Sequence, residues 1–192
     1  TSSTREDTDL FAKRLISLGP GRGRKFLEIG CGSGALSLLA SSLGWKVSAC
    51  DINPFAVVAS KGNLNSHGLD GQIKEGGVGP EEFPFIDKFD LIIWNLPYIP
   101  VAEVDDVLGP MEEAALIDTD ERGLANRLVD CINANQLLAN NGKILILGRE
   151  KLHIENNIFA VRKWDVIDFE DGEKLAIRCL WRPFESAVNN FV

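Results

Sequence analysis

Metal-ligating and disulfide-forming residues are scarce in this sequence. Its two histidines, His67 and His153, are isolated from each other. The four cysteines, Cys31, Cys50, Cys131 and Cys179, are widely spaced, form no Cys-x-x-Cys pair, and each sits among small or apolar residues. This argues against a metal centre or a disulfide framework and for buried free thiols in a reducing cytoplasm. Long apolar runs are missing as well, none approaching the roughly 18 residues that span a bilayer. The opening stretch Thr1-Ser2-Ser3-Thr4-Arg5-Glu6-Asp7 is too polar for the core of a signal peptide, so a soluble, cytoplasmic protein without membrane contact is expected. Positive charge is also short: 20 Lys and Arg face 28 Asp and Glu, for a net charge of -8 and a pI near 4.8. A bare nucleic-acid binder normally carries a basic face. A protein or small-molecule partner is therefore favoured over RNA or DNA.

What the chain does have is enough apolar sequence for one well-buried domain. With 192 residues, 45% of them hydrophobic, a single domain over residues 1–192 is the expectation. Helical and extended patterns alternate in the manner of a doubly wound α/β sheet. Leu10 to Leu18 has helical spacing and stops at Gly19-Pro20. A strand is predicted over Lys25 to Ile29, a helix over Ala35 to Leu43, and a second strand over Lys46 to Cys50. Pro54 then opens a helix capped by Asn53 and running to about Ser66. Strands follow at Gln72 to Glu75 and Phe89 to Trp94, a helix at Gly123 to Leu138, and a strand at Lys143 to Leu147. The tail differs: Trp164 to Phe169, a turn at Glu170-Asp171-Gly172, and Lys174 to Trp181 read as an antiparallel hairpin at the sheet edge. No internal repeat, low-complexity tract or linker interrupts this order.

Two segments carry chemistry. The first is Phe26-Leu27-Glu28-Ile29-Gly30-Cys31-Gly32-Ser33-Gly34, a buried strand running into a glycine turn and then a helix. Glycines there let the backbone turn tightly and approach a ligand closely. Gly30-x-Gly32-x-x-Ala35 also satisfies the dinucleotide fingerprint, so the turn alone leaves a nicotinamide oxidoreductase, or no ligand, open. Glu28 sharpens the reading, because a carboxylate just before the turn can accept bonds from the ammonium of an amino-acid cofactor. Asp51, about 20 residues beyond the turn at the end of the second strand, is placed to bind ribose hydroxyls. A helix-capping network with Asn53 is the alternative role for Asp51.

The second segment is Asn95-Leu96-Pro97-Tyr98, after the apolar run Phe89 to Trp94. If Asn95 Oδ1 and the Leu96 carbonyl each accept one N–H, a planar amino group is oriented and its developing positive charge stabilised. Tyr98 can stack on the same group, and Pro97 shapes the turn. Methyl transfer from a sulfonium is an in-line displacement that needs such positioning and no metal. An ordinary turn is the plain alternative, since Asn and Pro are common turn formers. A methyltransferase acting on nitrogen accounts for both segments.

Glu28-Ile29-Gly30-Cys31-Gly32-Ser33-Gly34, Asp51-Ile52-Asn53-Pro54 and Asn95-Leu96-Pro97-Tyr98-Ile99-Pro100 together resemble the class I S-adenosylmethionine methyltransferases of the HemK type, the glutamine methyltransferases of translation release factors. Glu6-Asp7-Thr8 followed by Leu10 resembles the N-terminal signature of their short archaeal and eukaryotic branch. The likeness runs from about Glu6 to Arg182. It implies a Rossmann-like fold: a seven-stranded, mostly parallel sheet with helices on both faces. It also implies S-adenosylmethionine as cofactor, with S-adenosylhomocysteine as product. By this resemblance Thr8, Glu28, Gly30, Asp51 and Asn95 touch the cofactor or acceptor, and Cys31, Gly32, Gly34 and Ile52 join the candidate cofactor-binding set. A small zinc-ribbon activator subunit, covering apolar surface near the third strand, is a further implied partner.

The chain departs from the family in three places. Leu96 replaces the first Pro of Asn-Pro-Pro-Tyr, giving a form similar to that of ribosomal RNA adenine dimethylases. The acid expected after the third strand has no counterpart in Glu75-Gly76-Gly77-Val78-Gly79, where backbone atoms of Gly77 and Val78 are candidates to take its place. The Gly-Gly-x-x-Gly segment appears only as Asp118-Thr119-Asp120-Glu121-Arg122-Gly123-Leu124. Between Val101 and Arg122 eight carboxylates face a single basic residue, a charge that repels phosphate and favours a basic protein segment. Two other readings stay open: an adenine or guanine amino methyltransferase on RNA or DNA, and a noncatalytic cofactor-binding scaffold.

Overall fold

The computed structural model describes residues 3–78, 83–96, 99–100, 117–118, 123–168 and 174–183. Four helices and nine strands lie within them: α1 (Ser3–Ser17), β1 (Lys25–Ile29), α2 (Ala35–Ser42), β2 (Lys46–Asp51), α3 (Pro54–Ser66), β3 (Gly71–Glu75), β4 (Phe89–Asn95), β5 (Ile99–Pro100), β6 (Ile117–Asp118), α4 (Leu124–Ala134), β7 (Leu138–Arg149), β8 (Ala160–Asp168) and β9 (Lys174–Trp181). Seven strands form one sheet in the order β3-β2-β1-β4-β7-β9-β8, and β5 pairs with β6 apart from it. Strands β3 to β7 in that order are parallel, while β9 is antiparallel to both neighbours.

Strand alternation sends successive side chains to opposite faces, and each face is packed. Leu27, Ile29, Ile92, Trp94, Ile144 and Ile146 join Leu128 and Ile132 of α4 in one cluster. Phe26, Leu91, Ile93, Leu145 and Leu147 join Phe11 and Leu15 of α1 and Leu36 of α2 in another. Burial on both faces explains why these strands read as continuous apolar runs. Ala125, Leu128, Val129 and Ile132 form the buried stripe of α4, with the three-to-four spacing of a helix lying on a sheet.

Element positions follow the sequence reading closely, with instructive exceptions. The α3 start is as expected: Pro54 stands in the first turn and the Asn53 side chain accepts from the Phe55 N–H. Helix α4 ends at Ala134, well short of Leu138, because Gln136 takes φ 52° and the Leu137 N–H bonds back to the Ile132 carbonyl. That is the helix stop usually built on glycine. Strand β7 begins at Leu138, before Lys143, and its register against β4 jumps between Phe89 and Leu91. In the hairpin only β8 is at the edge, since β9 is inserted between β8 and β7. The Glu170-Asp171-Gly172 turn lies outside the described residues, as does most of the acidic stretch from Val101 to Arg122.

Strand β1 is flanked by β2, reached through α2, and by β4, reached from the far end of the sheet. The chain therefore reverses its winding direction between β1 and β4. A crevice opens at the carboxyl ends of strands at such a switch point. Glu28 pairs in register with Ile93, and Ile29 with Trp94, so the end of β1 and Asn95 of β4 meet at this crevice.

Leu128 is fully buried on the sheet-facing side of α4. Leu128→Ala is expected to lower unfolding free energy by about 2–5 kcal/mol, measured by urea denaturation; a loss under about 1 kcal/mol would contradict the packing described.

Candidate active site

The turn after β1 is bound to its neighbours by backbone bonds. Gly30 and Cys31 both donate to the Cys50 carbonyl, at 2.8 and 3.1 Å, and the Gly34 N–H closes onto the Cys31 carbonyl at 2.7 Å. Gly32 and Gly34 both take positive φ, but for different ends. A Cβ on Gly32 would meet nothing within 4 Å, so the turn leaves open space where a ligand can approach the backbone. A Cβ on Gly34 would fall 2.0 Å from Ser60 Oγ of α3, so this glycine serves helix packing. Asn63 of α3 adds a bond to the Ser33 carbonyl at 2.8 Å.

Asp51 holds two parts of the site together. Its Oδ2 accepts from the Gly32 N–H at 2.8 Å and its Oδ1 from the Asn53 N–H at 2.9 Å. The capping network is therefore present, and it also braces the glycine turn. Each carboxylate oxygen keeps a second lone pair, so ribose hydroxyls remain possible partners. Beside it, Ile52 is 58% exposed and lies against Gly77, where a Cβ would come 2.7 Å from Ile52 Cγ2. The Val78 side chain turns into the core with Phe83 and Phe85, leaving its backbone as the part available to a ligand.

Glu28 is buried at 5% exposure on the face of β1 covered by α1 and α2. Its Oε2 accepts the Ser37 hydroxyl of α2. Burial pushes its carboxyl up to about 8, opposed by the Ser37 bonds and reinforced by the negative charge of Asp51. Near neutrality the ligand-free carboxyl thus holds its proton. A cation entering the cavity would reverse that preference, because a nearby opposite charge favours the ionised form.

Asn95 ends β4 on the same face of the sheet. Its Oδ1 is buried and has no hydrogen-bond partner among the described residues. Leu96 is buried, and its N–H donates to the Leu147 carbonyl of β7 at 3.0 Å. A proline there could not make that bond, so the Leu in this position extends the ladder one residue past β4. Thr8, Phe11, Glu28, Gly30, Gly32 and Asn95, with Cys31 in the turn, line one cavity of about 170 Å³. The structure thus brings Thr8, Glu28, the turn and Asn95 together. Asp51, Ile52, Gly77 and Val78 sit beyond this cavity, along the ends of β2 and β3. Pro97 and Tyr98 lie outside the described residues.

A buried carboxyl, an unsatisfied amide oxygen and an open glycine turn suit a ligand with an ammonium group and an N–H donor beside it. Comparison with known proteins decides the family. The sequence pattern of the methyltransferase small domain matches residues 4–168. The chain belongs to that family. Ribosomal protein L11 methyltransferase of Campylobacter lari is 35% identical over 104 residues, 53% of this chain and 34% of that protein. A provisionally described protein N5-glutamine methyltransferase of Methanocaldococcus jannaschii is 29% identical over 130 residues, 65% of this chain and 60% of that protein. Ribosomal RNA small subunit methyltransferase C of Salmonella paratyphi B is 36% identical over 98 residues, 50% of this chain and 28% of that protein. The chain therefore spans 34% and 60% of the length of the first two relatives. A dimethyladenosine transferase from Plasmodium falciparum shares the fold, with a TM-score of 0.61 at 17% identity over 94% of this chain and 64% of that one.

S-adenosylmethionine is the cofactor of this class of methyltransferase small domain, and the residues present fit it. Glu28 meets the need for an anion at an ammonium, Asp51 for an acceptor at a ribose, and Gly32 for backbone without a side chain. Ser37 and Phe11 are site residues that motif reading passed over. Ser37 could have been noticed as a polar residue inside the apolar helix Ala35-Leu36-Ser37-Leu38-Leu39, the kind of position that needs a buried partner.

In the unfolded chain the Glu28 proton leaves near pH 4.5, whereas the fold retains it to about 8. Between those values the folded state binds more protons. This contribution to stability is fully present below pH 4.5 and is lost as pH rises to about 8, at no more than about 1.4 kcal/mol per pH unit. Glu28→Gln should therefore gain in melting temperature over the wild type as pH is raised from about 5 to 8. Parallel curves would show that Glu28 titrates normally.

Proposed function

We propose that this protein is an S-adenosylmethionine-dependent N-methyltransferase whose acceptor is the side-chain amide of a glutamine in a translation release factor. The observation that carries the reading is the Oδ1 of Asn95, buried and without a partner among the described residues, in one cavity with Glu28. An acceptor left unsatisfied away from water costs about 1–3 kcal/mol. Placed at a cofactor cavity, it is an acceptor held ready for an incoming N–H.

Bound S-adenosylmethionine supplies an electrophilic methyl carbon on a sulfonium. Glu28 would bind the cofactor's ammonium, the turn at Gly30 to Gly34 would let the cofactor approach the backbone, and Asp51 would accept from its ribose. Asn95 Oδ1 and the Leu96 carbonyl each accept one N–H of the acceptor amide, which orients its nitrogen and stabilises the positive charge that develops there. The bond from Leu96 N–H to the Leu147 carbonyl fixes the peptide between Asn95 and Leu96, and with it the backbone that carries the Asn95 side chain. As the nitrogen takes the methyl group the S–C bond would break, leaving S-adenosylhomocysteine, and the nitrogen would lose one proton to water, so no strong base is required.

A protein acceptor is supported by the net charge of -8 and by relatives named for protein methylation. A nucleobase amine is the second reading, favoured by the relative named for ribosomal RNA. Each presents the same planar amino group to Asn95, so charge around the cleft distinguishes them.

The test offers the purified protein S-adenosylmethionine with either a release factor bearing a Gly-Gly-Gln loop or ribosomal RNA, and reads the product by mass spectrometry. One methyl group on the glutamine supports the proposal; methylation of the RNA alone overturns its acceptor. Asn95→Ala should lower kcat about 10²- to 10³-fold and leave S-adenosylhomocysteine affinity within a few-fold. Unchanged kcat would remove Asn95 from the chemistry.

A further inference from the structure

Ser37 is the third residue of α2 and fully buried. A serine inside a helix ordinarily turns its hydroxyl to solvent or back to a carbonyl one turn earlier. Here the hydroxyl leaves the helix and donates to Glu28 Oε2 on β1. Alanine would suit the helix better, so the hydroxyl is explained by its partner and not by the helix.

Glu28 lines the cavity with Thr8 and Asn95, and the Ser37 backbone N–H adds a second bond to its carboxyl. Among the titratable groups on the surrounding elements, Asp51 of β2 faces it with a negative charge and Cys31 of the turn faces it as a thiol. Burial pushes that thiol up to about 12, so it stays neutral. From α1 and β4 the cavity receives Thr8 and Asn95, which carry no charge.

We propose that Ser37 is a positioning residue for cofactor capture: its hydroxyl and backbone N–H fix the Glu28 carboxyl at the wall of the cavity, and binding of an amino-acid ammonium there depends on release of the Glu28 proton. This rests on the methyltransferase reading. No covalent bond other than the Glu28 O–H changes; the proton passes to bulk water as the ammonium takes its place against the carboxylate. Burial of Glu28 raises the pH at which that exchange becomes easy, and the Ser37 bonds lower it. Ser37 therefore sets where on the pH scale the site reaches full affinity.

The experiment is calorimetric titration of the whole protein with S-adenosylhomocysteine from about pH 6 to 9, in buffers of differing ionisation enthalpy. Wild-type affinity should rise by about tenfold per pH unit and level near pH 8, with close to one proton released per ligand below that point. Ser37→Ala should bind roughly tenfold or more weakly at neutral pH, the loss of a bond to a charged group, and should level at higher pH. Ser37→Thr should restore both, and Glu28→Gln should abolish the pH dependence. Ser37→Ala with the wild-type pH course, even if weaker, overturns the proposal. Wild-type binding that does not vary between pH 6 and 8 overturns it while leaving the cofactor reading intact. Failure of the wild type to bind at any pH overturns both.

Discussion

The bond from the Ser37 hydroxyl to the Glu28 carboxyl is made on a flank of the sheet from which water is excluded, and it is there that fold and function compete. A carboxylate moved out of water loses several kcal/mol of solvation unless paired. The fold meets that cost by leaving the group protonated, its carboxyl pushed up to about 8. The apolar packing of both sheet faces makes the exception tolerable, because Phe26, Leu27 and Ile29 around Glu28 are themselves fully or almost fully buried. A ligand that brings a cation repairs the deficit the apo fold carries.

Asn95 repeats the logic with a neutral group. Its Oδ1 is buried without a partner among the described residues, whereas the backbone immediately after it is tightly bonded through Leu96 to β7. Rigid backbone beside an unsatisfied side-chain atom is the arrangement expected of a positioning site, where the missing partner arrives with the substrate. Asp51 shows the opposite economy, serving the Asn53 cap and the Gly32 turn at once. Together these residues stand at or beside the ends of β1, β2 and β4 at the switch point of the sheet.

Much of this was legible in the residues themselves. The turn at Gly30 to Gly34 is readable because close backbone approach leaves glycines at fixed intervals, and the α3 start because Asn53 and Pro54 each have one strongly preferred place. The end of α4 was hidden, since Gln136 does what glycine normally does. The start of β7 was hidden by Asn140-Asn141-Gly142, which resembles a turn but lies inside a strand with a register jump. Ser37 shows in the sequence only as a polar residue in an apolar helix; its partner lies nine residues away across a turn, and one-dimensional spacing does not say that the two side chains meet. Strands β5 and β6 have two residues each, too short for any periodicity to register.

Selective recognition of S-adenosylmethionine and its demethylated product by this cleft is the claim on which the rest stands. Isothermal titration of the purified protein with S-adenosylhomocysteine and, separately, with a nicotinamide dinucleotide tests it most directly, since the glycine turn alone would admit either. The account predicts saturable one-to-one binding of S-adenosylhomocysteine and no measurable heat from the dinucleotide. Binding of the dinucleotide with S-adenosylhomocysteine excluded would contradict it.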